Sequence, residues 1–227
     1  MVFTDKITLY TSLICPFAQR AAITLREVGA NFESIQIDLL NKPTWYKDIN
    51  PELKVPTIHT EGQNLAESLV IIEYLHDRFP EKKLLPEEPI KRANIRFAIE
   101  YFGSKVAPTL YKLIPNYTDA NAIEEFKKNT NDALIRFNEL LVKESASGPY
   151  FLGEQFSLAD IAIAPFIMRI FAFNKRYLNG YEFDAIKSST RLAEFFKGIT
   201  SRPSVKETYI GDEGYIEGLQ KRYSNLN

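Results

Sequence analysis

The stretch SLICPFAQR (12–20) holds the only cysteine of the 227-residue chain, Cys15. A thiol is either a small buried hydrophobe or a nucleophile, and its surroundings decide which. Before it, KITLYTS (6–12) mixes β-branched and aromatic residues and reads as a strand. After it, Phe17, Ala21, Leu25 and Val28 recur at helical spacing, with Pro16 suited to the first turn and Gly29 to the C-cap. Cys15 is therefore expected at a helix N-cap. Unpaired N–H groups and the positive end of the helix dipole stabilise an anion there. The position favours a nucleophilic thiolate over a structural cysteine. A dithiol oxidoreductase carries its second thiol three residues on, and that position is Ala18. Any disulfide must then be made with an external thiol.

Further groups in the first 80 residues narrow that partner. In KVPT (54–57) the Val55-Pro56 bond is a candidate cis peptide, and Val55 could pair its backbone with an extended peptide. Glu67 and Ser68 fall where a strand gives way to a helix. The Ser68 N–H and hydroxyl suit a carboxylate, and Glu67 suits an ammonium group. One thiol, a short extended backbone, one ammonium and two carboxylates describe glutathione.

The elements that position these groups read β-α-β-(α)-β-β-α. The second strand is NFESIQID (31–38), and 41–51 is irregular or briefly helical. Residues 55–68 hold two strands joined at Glu61-Gly62, and SLVIIEYLHDRF (68–79) is a helix. PEKKLLPEEP (80–89) carries three prolines and reads as a linker. Everything beyond is helical in period: 90–115 with a kink at Pro108, 121–143, a helix opened by the Ser157/Asp160 capping box with a Phe156/Ile161 staple, 189–201 and 212–222. The expected domains are 1–80, a linker at 81–89, and 90–227.

Composition excludes several classes. A net charge of −1 and 45% hydrophobic residues give no footprint for nucleic acid or an anionic membrane. A lone cysteine is at home in the reducing cytoplasm. The first ten residues carry no apolar run, so no secretory signal is expected. No apolar run is long enough to span a membrane. The two histidines, His59 in a strand and His76 on a helix surface, lack the neighbours that a metal site requires.

CPFAQR (15–20), NKPTW (41–45), VPT (55–57), ES (67–68), EYLHDRFPEKKLLP (73–86), SLAD (157–160) and SRPSV (201–205) stand in order over nearly the whole chain. In this it resembles the omega-class glutathione transferases. The resemblance implies an α/β thioredoxin-like N-terminal domain, an all-α helical C-terminal domain and a homodimer, with helices 68–79 and 90–115 at its interface. Cys15 matches the class's catalytic cysteine. Phe17, Lys42, Val55, Glu67 and Ser68 match glutathione-binding positions, Lys42 as partner of the glycine carboxylate. Tyr111, Phe166 and Arg169 fall where the class lines its pocket for an electrophile. The class often has tryptophan at the position of Phe166, so Phe166 is equally readable as core. Tyr10 and Ser12 sit where other transferase classes keep a tyrosine or serine that supports the glutathione thiolate.

The implied activity is a glutathione-dependent thiol transferase or reductase, through a Cys15-glutathione mixed disulfide. Its substrates would be glutathionylated thiols, dehydroascorbate or glutathionyl ketones. The alternative is a carrier of glutathione conjugates and hydrophobic molecules, without turnover. A membrane-inserting relative, like the intracellular chloride channel proteins, is a third reading, against which the absence of a long apolar N-terminal segment counts.

Overall fold

β1 (Ile7–Thr11) is the hub of the first half of the chain. In the computed structural model, which describes residues 6–223 and 226, it pairs parallel with β2 (Phe32–Gln36) and antiparallel with β3 (Thr57–Thr60). β3 in turn pairs antiparallel with β4 (Gln63–Ala66), giving the order β2-β1-β3-β4. The helix α1 (Pro16–Val28) makes the parallel crossover, and α3 (Ser68–Arg78) packs against it. Ile7 and Leu9 of β1 bury themselves with Ala21 and Leu25 of α1, Ile58 of β3, and Ile71 and Leu75 of α3. Tyr10 faces a second cluster, with Ala18, Ile37, Val55 and Tyr46 of the short α2 (Tyr46–Ile49). The strand's alternation sets this division, and each buried aliphatic contributes about 1.5–3 kcal/mol.

Two turns fix the register. Gly29 caps α1 at φ 67°, a left-handed conformation that costs glycine nothing. Glu61 and Gly62 both have positive φ (52° and 73°), which matches the twist of a two-residue hairpin turn.

The chain divides into two compact units. One comprises the chain up to Leu84 together with Pro203–Ile210, and the other holds Leu85–Arg202 and the chain from Gly211 onward. The second unit is helical: α4 (Pro89–Tyr101), α5 (Ala107–Leu113), α6 (Ala120–Glu144), α7 (Leu158–Tyr177), α8 (Asp184–Lys187), α9 (Thr190–Ser201) and, past the α10 segment described below, α11 (Asp212–Arg222). The capping box is present. Ser157 donates to the Asp160 carboxylate from its backbone N–H and its hydroxyl, each at 2.7 Å, and the Phe151 N–H adds a bond of 2.8 Å. Arg191 holds the preceding loop through the carbonyls of Ser145, Gly148 and Tyr150 at 2.9, 2.5 and 2.7 Å.

Three expectations need correction. The 90–115 helix is not one kinked rod: Phe102–Val106 adopts a π-helical turn between α4 and α5. Pro108 lacks an N–H and crowds the preceding turn, and the ladder adjusts upstream of it. The 80–89 stretch, where α3 has ended, holds a 3₁₀ turn at Pro80–Lys82, and α4 opens at Pro89. His76 is buried at 8% exposure, not on the helix surface. Finally, Pro203–Ile210, expected in the second domain, packs in the first unit through α10 (Pro203–Glu207) on α1. The buried Gln19 amide donates to the Val205 carbonyl at 3.2 Å, Arg26 pairs with Glu207 at 2.8 Å, and Ser204 donates to Glu27. Helical periodicity carries no trace of such long-range bonds.

The expectation of no secretory signal falls partly on residues 1–5, which lie outside the described residues. Among the described residues no helix is long and apolar enough to cross a membrane.

Candidate active site

The site grows from the turn between β1 and α1. The Cys15 N–H donates to the Ser12 carbonyl at 2.9 Å, closing the turn, and the Cys15 carbonyl accepts from Gln19 N–H at 3.1 Å, opening the helix. Cys15 is thus the N-cap, in an extended conformation (φ −84°, ψ 118°) with Pro16 next. Its side chain is half-buried, packed against the cluster of Tyr10, Tyr46 and Val55. Sγ lies 3.8 Å from the Val55 carbonyl oxygen. The Val55-Pro56 bond is cis.

The 54–57 loop is held from beneath by α2 and the residue after it. The Tyr46 hydroxyl donates to the Lys54 carbonyl at 2.6 Å and lies 3.1 Å from the Thr57 hydroxyl. Asn50 Nδ2 donates to the same carbonyl at 2.9 Å and to Thr57 Oγ1 at 3.0 Å. Burial raises the Tyr46 phenol above its ordinary pKa, so it stays a neutral donor. Sequence reasoning missed Tyr46 and Asn50. Their i, i+4 spacing just ahead of KVPT was the available signal.

The second helix start belongs to α3. Glu67, its N-cap, has φ 67° and ψ 115°, a region that favours glycine, and its carbonyl accepts from Ile71 N–H at 2.9 Å. Its side chain is exposed, while Ser68 at the first helical position is buried. The Ser68 hydroxyl accepts from Arg20 Nη1 at 3.2 Å, and the Arg20 guanidinium stands 5.4 Å from the ring centre of the exposed Phe17. Arg20, itself only 5% exposed, links the Phe17 end of α1 to the start of α3. It is the third residue that sequence reasoning passed over, although it closes CPFAQR.

Cys15 therefore meets Val55 directly, and Arg20 joins Phe17 of the same helix to Ser68, next to Glu67. Lys42 is exposed in the loop before α2. Tyr10 is a packed strand residue, its ring 6.1 Å from Trp45 and 5.8 Å from Tyr46, and Ser12 is buried in the turn. The remaining three candidates lie in the other unit. Tyr111 is exposed on α5. Phe166 and Arg169 are buried in α7, where Arg169 donates to the Pro165 carbonyl at 2.8 Å and lies 5.4 Å from the Tyr215 ring centre. Arg169 is engaged with its own helix and with α11, and offers no surface to a ligand. None of the three lines the 740 Å³ cavity between α5 and α6 or the 640 Å³ cavity bounded by α7, α8 and α9. Among the described residues no cluster of histidine, cysteine and carboxylates could hold a metal ion.

Two helix N-termini joined by a buried arginine can hold two anions, a thiolate at the first and a carboxylate at the second. The family model described as glutathione S-transferase, N-terminal domain, matches residues 9–83, and that for the C-terminal domain matches 94–208. The chain belongs to the glutathione S-transferase family. Within it the protein is omega-like. It is 31% identical to glutathione S-transferase omega-1 of Sus scrofa over 90% of this chain and 80% of that one. Glutathione S-transferase L3 of Arabidopsis thaliana is also 31% identical, over 98% and 90% of the two chains. Among solved structures, glutathione transferase Omega 1C from Trametes versicolor is 34% identical with a TM-score of 0.78, covering 98% of both chains. Members of this transferase family take glutathione as co-substrate, and the strand-turn-helix carrying Cys15 belongs to the matched N-terminal domain.

Proposed function

We propose that this glutathione transferase is a thiol transferase working through Cys15. The Cys15 thiolate attacks the glutathionyl sulfur of a mixed disulfide. A Cys15-glutathione bond forms, and the substrate leaves as a thiolate that takes a proton from water. A second glutathione thiolate then attacks the glutathionyl sulfur, giving oxidised glutathione and the free Cys15 thiolate. The observation that carries this reading is the placement of the chain's one thiol at the N-cap of α1, with Ala18 where a resolving thiol would stand. Phe17, Val55, Glu67 and Ser68 hold the glutathione backbone and its γ-glutamyl end, with Lys42 on the glycine carboxylate. Tyr111 is the candidate of the second unit left with an exposed face for an electrophile.

The test is intact mass after incubation with oxidised glutathione and again after reduced glutathione. A single adduct that forms and then clears, and that Cys15→Ser does not form, supports the reading. An inert thiol on folded protein moves the chemistry to Tyr10 and conjugation, or leaves a ligand carrier. Cytoplasmic residence and a homodimer belong to the same proposal. Ile90 and Phe97 on α4, and Ile135 and Val142 on α6, are exposed apolar pairs seven residues apart on two packed helices, a face suited to a second copy. Light scattering at twice 26.1 kDa would support the dimer.

A further inference from the structure

The backbone carbonyl that a seated glutathione would use is already in use. The Cys15 thiol donates to the Val55 carbonyl oxygen, with Sγ at 3.8 Å. A thiol makes this bond and a thiolate cannot, so the carbonyl favours the protonated sulfur. The N-terminus of α1 acts the other way, because its N–H groups favour the thiolate. Cys15 thus stands between two backbone dipoles of opposite effect.

The carbonyl is held in place from both sides. The Tyr46 hydroxyl and Asn50 Nδ2 both donate to the Lys54 carbonyl, at 2.6 and 2.9 Å. Both also reach Thr57 Oγ1, at 3.1 and 3.0 Å, beyond Val55. Thr57 in turn is paired with Tyr10 of β1. The titratable side chains of the cluster that holds the thiol are Tyr10 and Tyr46. Burial raises the Tyr46 phenol above its ordinary value, so it brings no charge to the sulfur. The first cation of α1, Arg20, is turned to Ser68 and Phe17. An extended peptide laid against Val55 offers the N–H of its central residue to the same carbonyl oxygen.

We propose that Val55 makes Cys15 respond to its substrate: its carbonyl keeps the thiol protonated in the free protein and passes to the central N–H of a glutathionyl group when that group is seated. The S–H bond then breaks, the electron pair stays on Sγ and the proton goes to water. The thiolate is left with the helix N-terminus and no opposing carbonyl. The inference rests on the thiol-transferase reading of Cys15. It adds a basis for selectivity, since a disulfide that lacks the peptide N–H meets a less ionised thiol.

The test reads Cys15 ionisation on the full chain by ultraviolet thiolate absorbance, which a single cysteine makes unambiguous. Two probes without a thiol are compared, each extrapolated to saturation. One is γ-glutamyl-alanyl-glycine. The other is its ester analogue γ-glutamyl-lactyl-glycine, in which oxygen replaces the central N–H. Their charges are the same, so the bond to Val55 is what differs. The alanyl tripeptide should lower the Cys15 pKa by about half to one unit relative to the ester, a roughly three- to tenfold rise in thiolate below the pKa. If the ester does not bind, the fall is read against the free protein. Tyr46→Phe loosens the loop beside Val55, and should move the free protein toward the bound value and shrink the shift. Equal ionisation with the two bound probes, a rise with the tripeptide, no binding of the tripeptide, or an undiminished shift in folded Tyr46→Phe would each overturn the inference. If Tyr46→Phe does not fold, the probes on the wild type decide alone. Incubation with oxidised glutathione separates the two readings. A Cys15 adduct beside an unmoved ionisation overturns this inference only, and no adduct overturns the thiol-transferase reading.

Discussion

Arg20 Nη1 donates to the Ser68 hydroxyl at 3.2 Å, fastening α1 to the first residue of α3. The guanidinium is buried and also faces the Phe17 ring. Its planar fork therefore sets both the hydroxyl and the ring that the proposed glutathione site uses. Arg20→Ala should weaken glutathione binding about tenfold and cost on the order of 1–3 kcal/mol of stability, because a buried polar group loses its partner. Arg20→Lys keeps the charge without the fork, and should recover stability more than affinity. Calorimetry with glutathione and urea unfolding measure the two effects. Unchanged affinity in Arg20→Ala would remove the positioning role.

Glu67 holds a backbone conformation suited to glycine, at φ 67°. A side chain there costs of order 1–3 kcal/mol and persists when function needs it. Glu67→Gly should raise stability by up to about 1 kcal/mol once its greater unfolded-state entropy is offset, and should weaken glutathione binding. Glu67→Ala should weaken binding equally without the gain in stability. Urea midpoints of the pair separate strain from recognition, and equal midpoints would show that the conformation carries no strain.

Burial pushes the Asp160 carboxyl up to about 6, against the pull of the Ser157 and Phe151 donors. The unfolded carboxyl titrates near 3.8, so the native state holds its proton more tightly. The stability from this protonation is fully present below about pH 4 and is lost as pH rises through about 6. The full swing is on the order of 3 kcal/mol. Urea unfolding of the wild type and Asp160→Asn between pH 5 and 8 should show the difference between them shrink as pH rises. The variant should still be less stable, by about 1–3 kcal/mol, since an amide cannot accept from every donor around it. A pH-independent difference would mean that Asp160 does not titrate in this range.

Gly198 on α9 has no room for a side chain, because an added Cβ would stand 2.2 Å from the Pro149 carbonyl oxygen. That loop is fixed by Arg191 at Gly148 and Tyr150, so it cannot give way. Gly198→Ala should lose about 1–3 kcal/mol. Gly103, with nothing within 4 Å of its added Cβ, should tolerate alanine or gain by up to about 1 kcal/mol. Thermal unfolding of the two variants checks the contrast.

Local signals carried well from sequence to structure. The Pro16 start, the Gly29 cap, the Glu61-Gly62 hairpin and the Ser157/Asp160 box each depend on neighbours in the chain, and each is present. What failed depends on distance. Nothing local tells that Gln19 bonds Val205, or that Arg20 reaches Ser68. His76 and Arg169 are polar residues on helices, and only packing reveals that both are buried. Among the site residues, the Cys15 N-cap was legible because a helix start is local. The support that Tyr46 and Asn50 give to the 54–57 loop left only their i, i+4 spacing as a trace, which does not say what the two side chains bond.

The placement of α10 on α1 also bears on time. Ribosomes add about 5–20 residues per second. The first unit waits for Pro203 from the moment Leu84 is made, a delay of about 6–24 s at that rate. Throughout it the Gln19 amide and the Arg26 side of α1 have no Val205 or Glu207 to meet. The unit that emerges first is thus completed only after Leu85–Arg202 of the helical unit has been synthesised, because its last helix lies beyond that stretch.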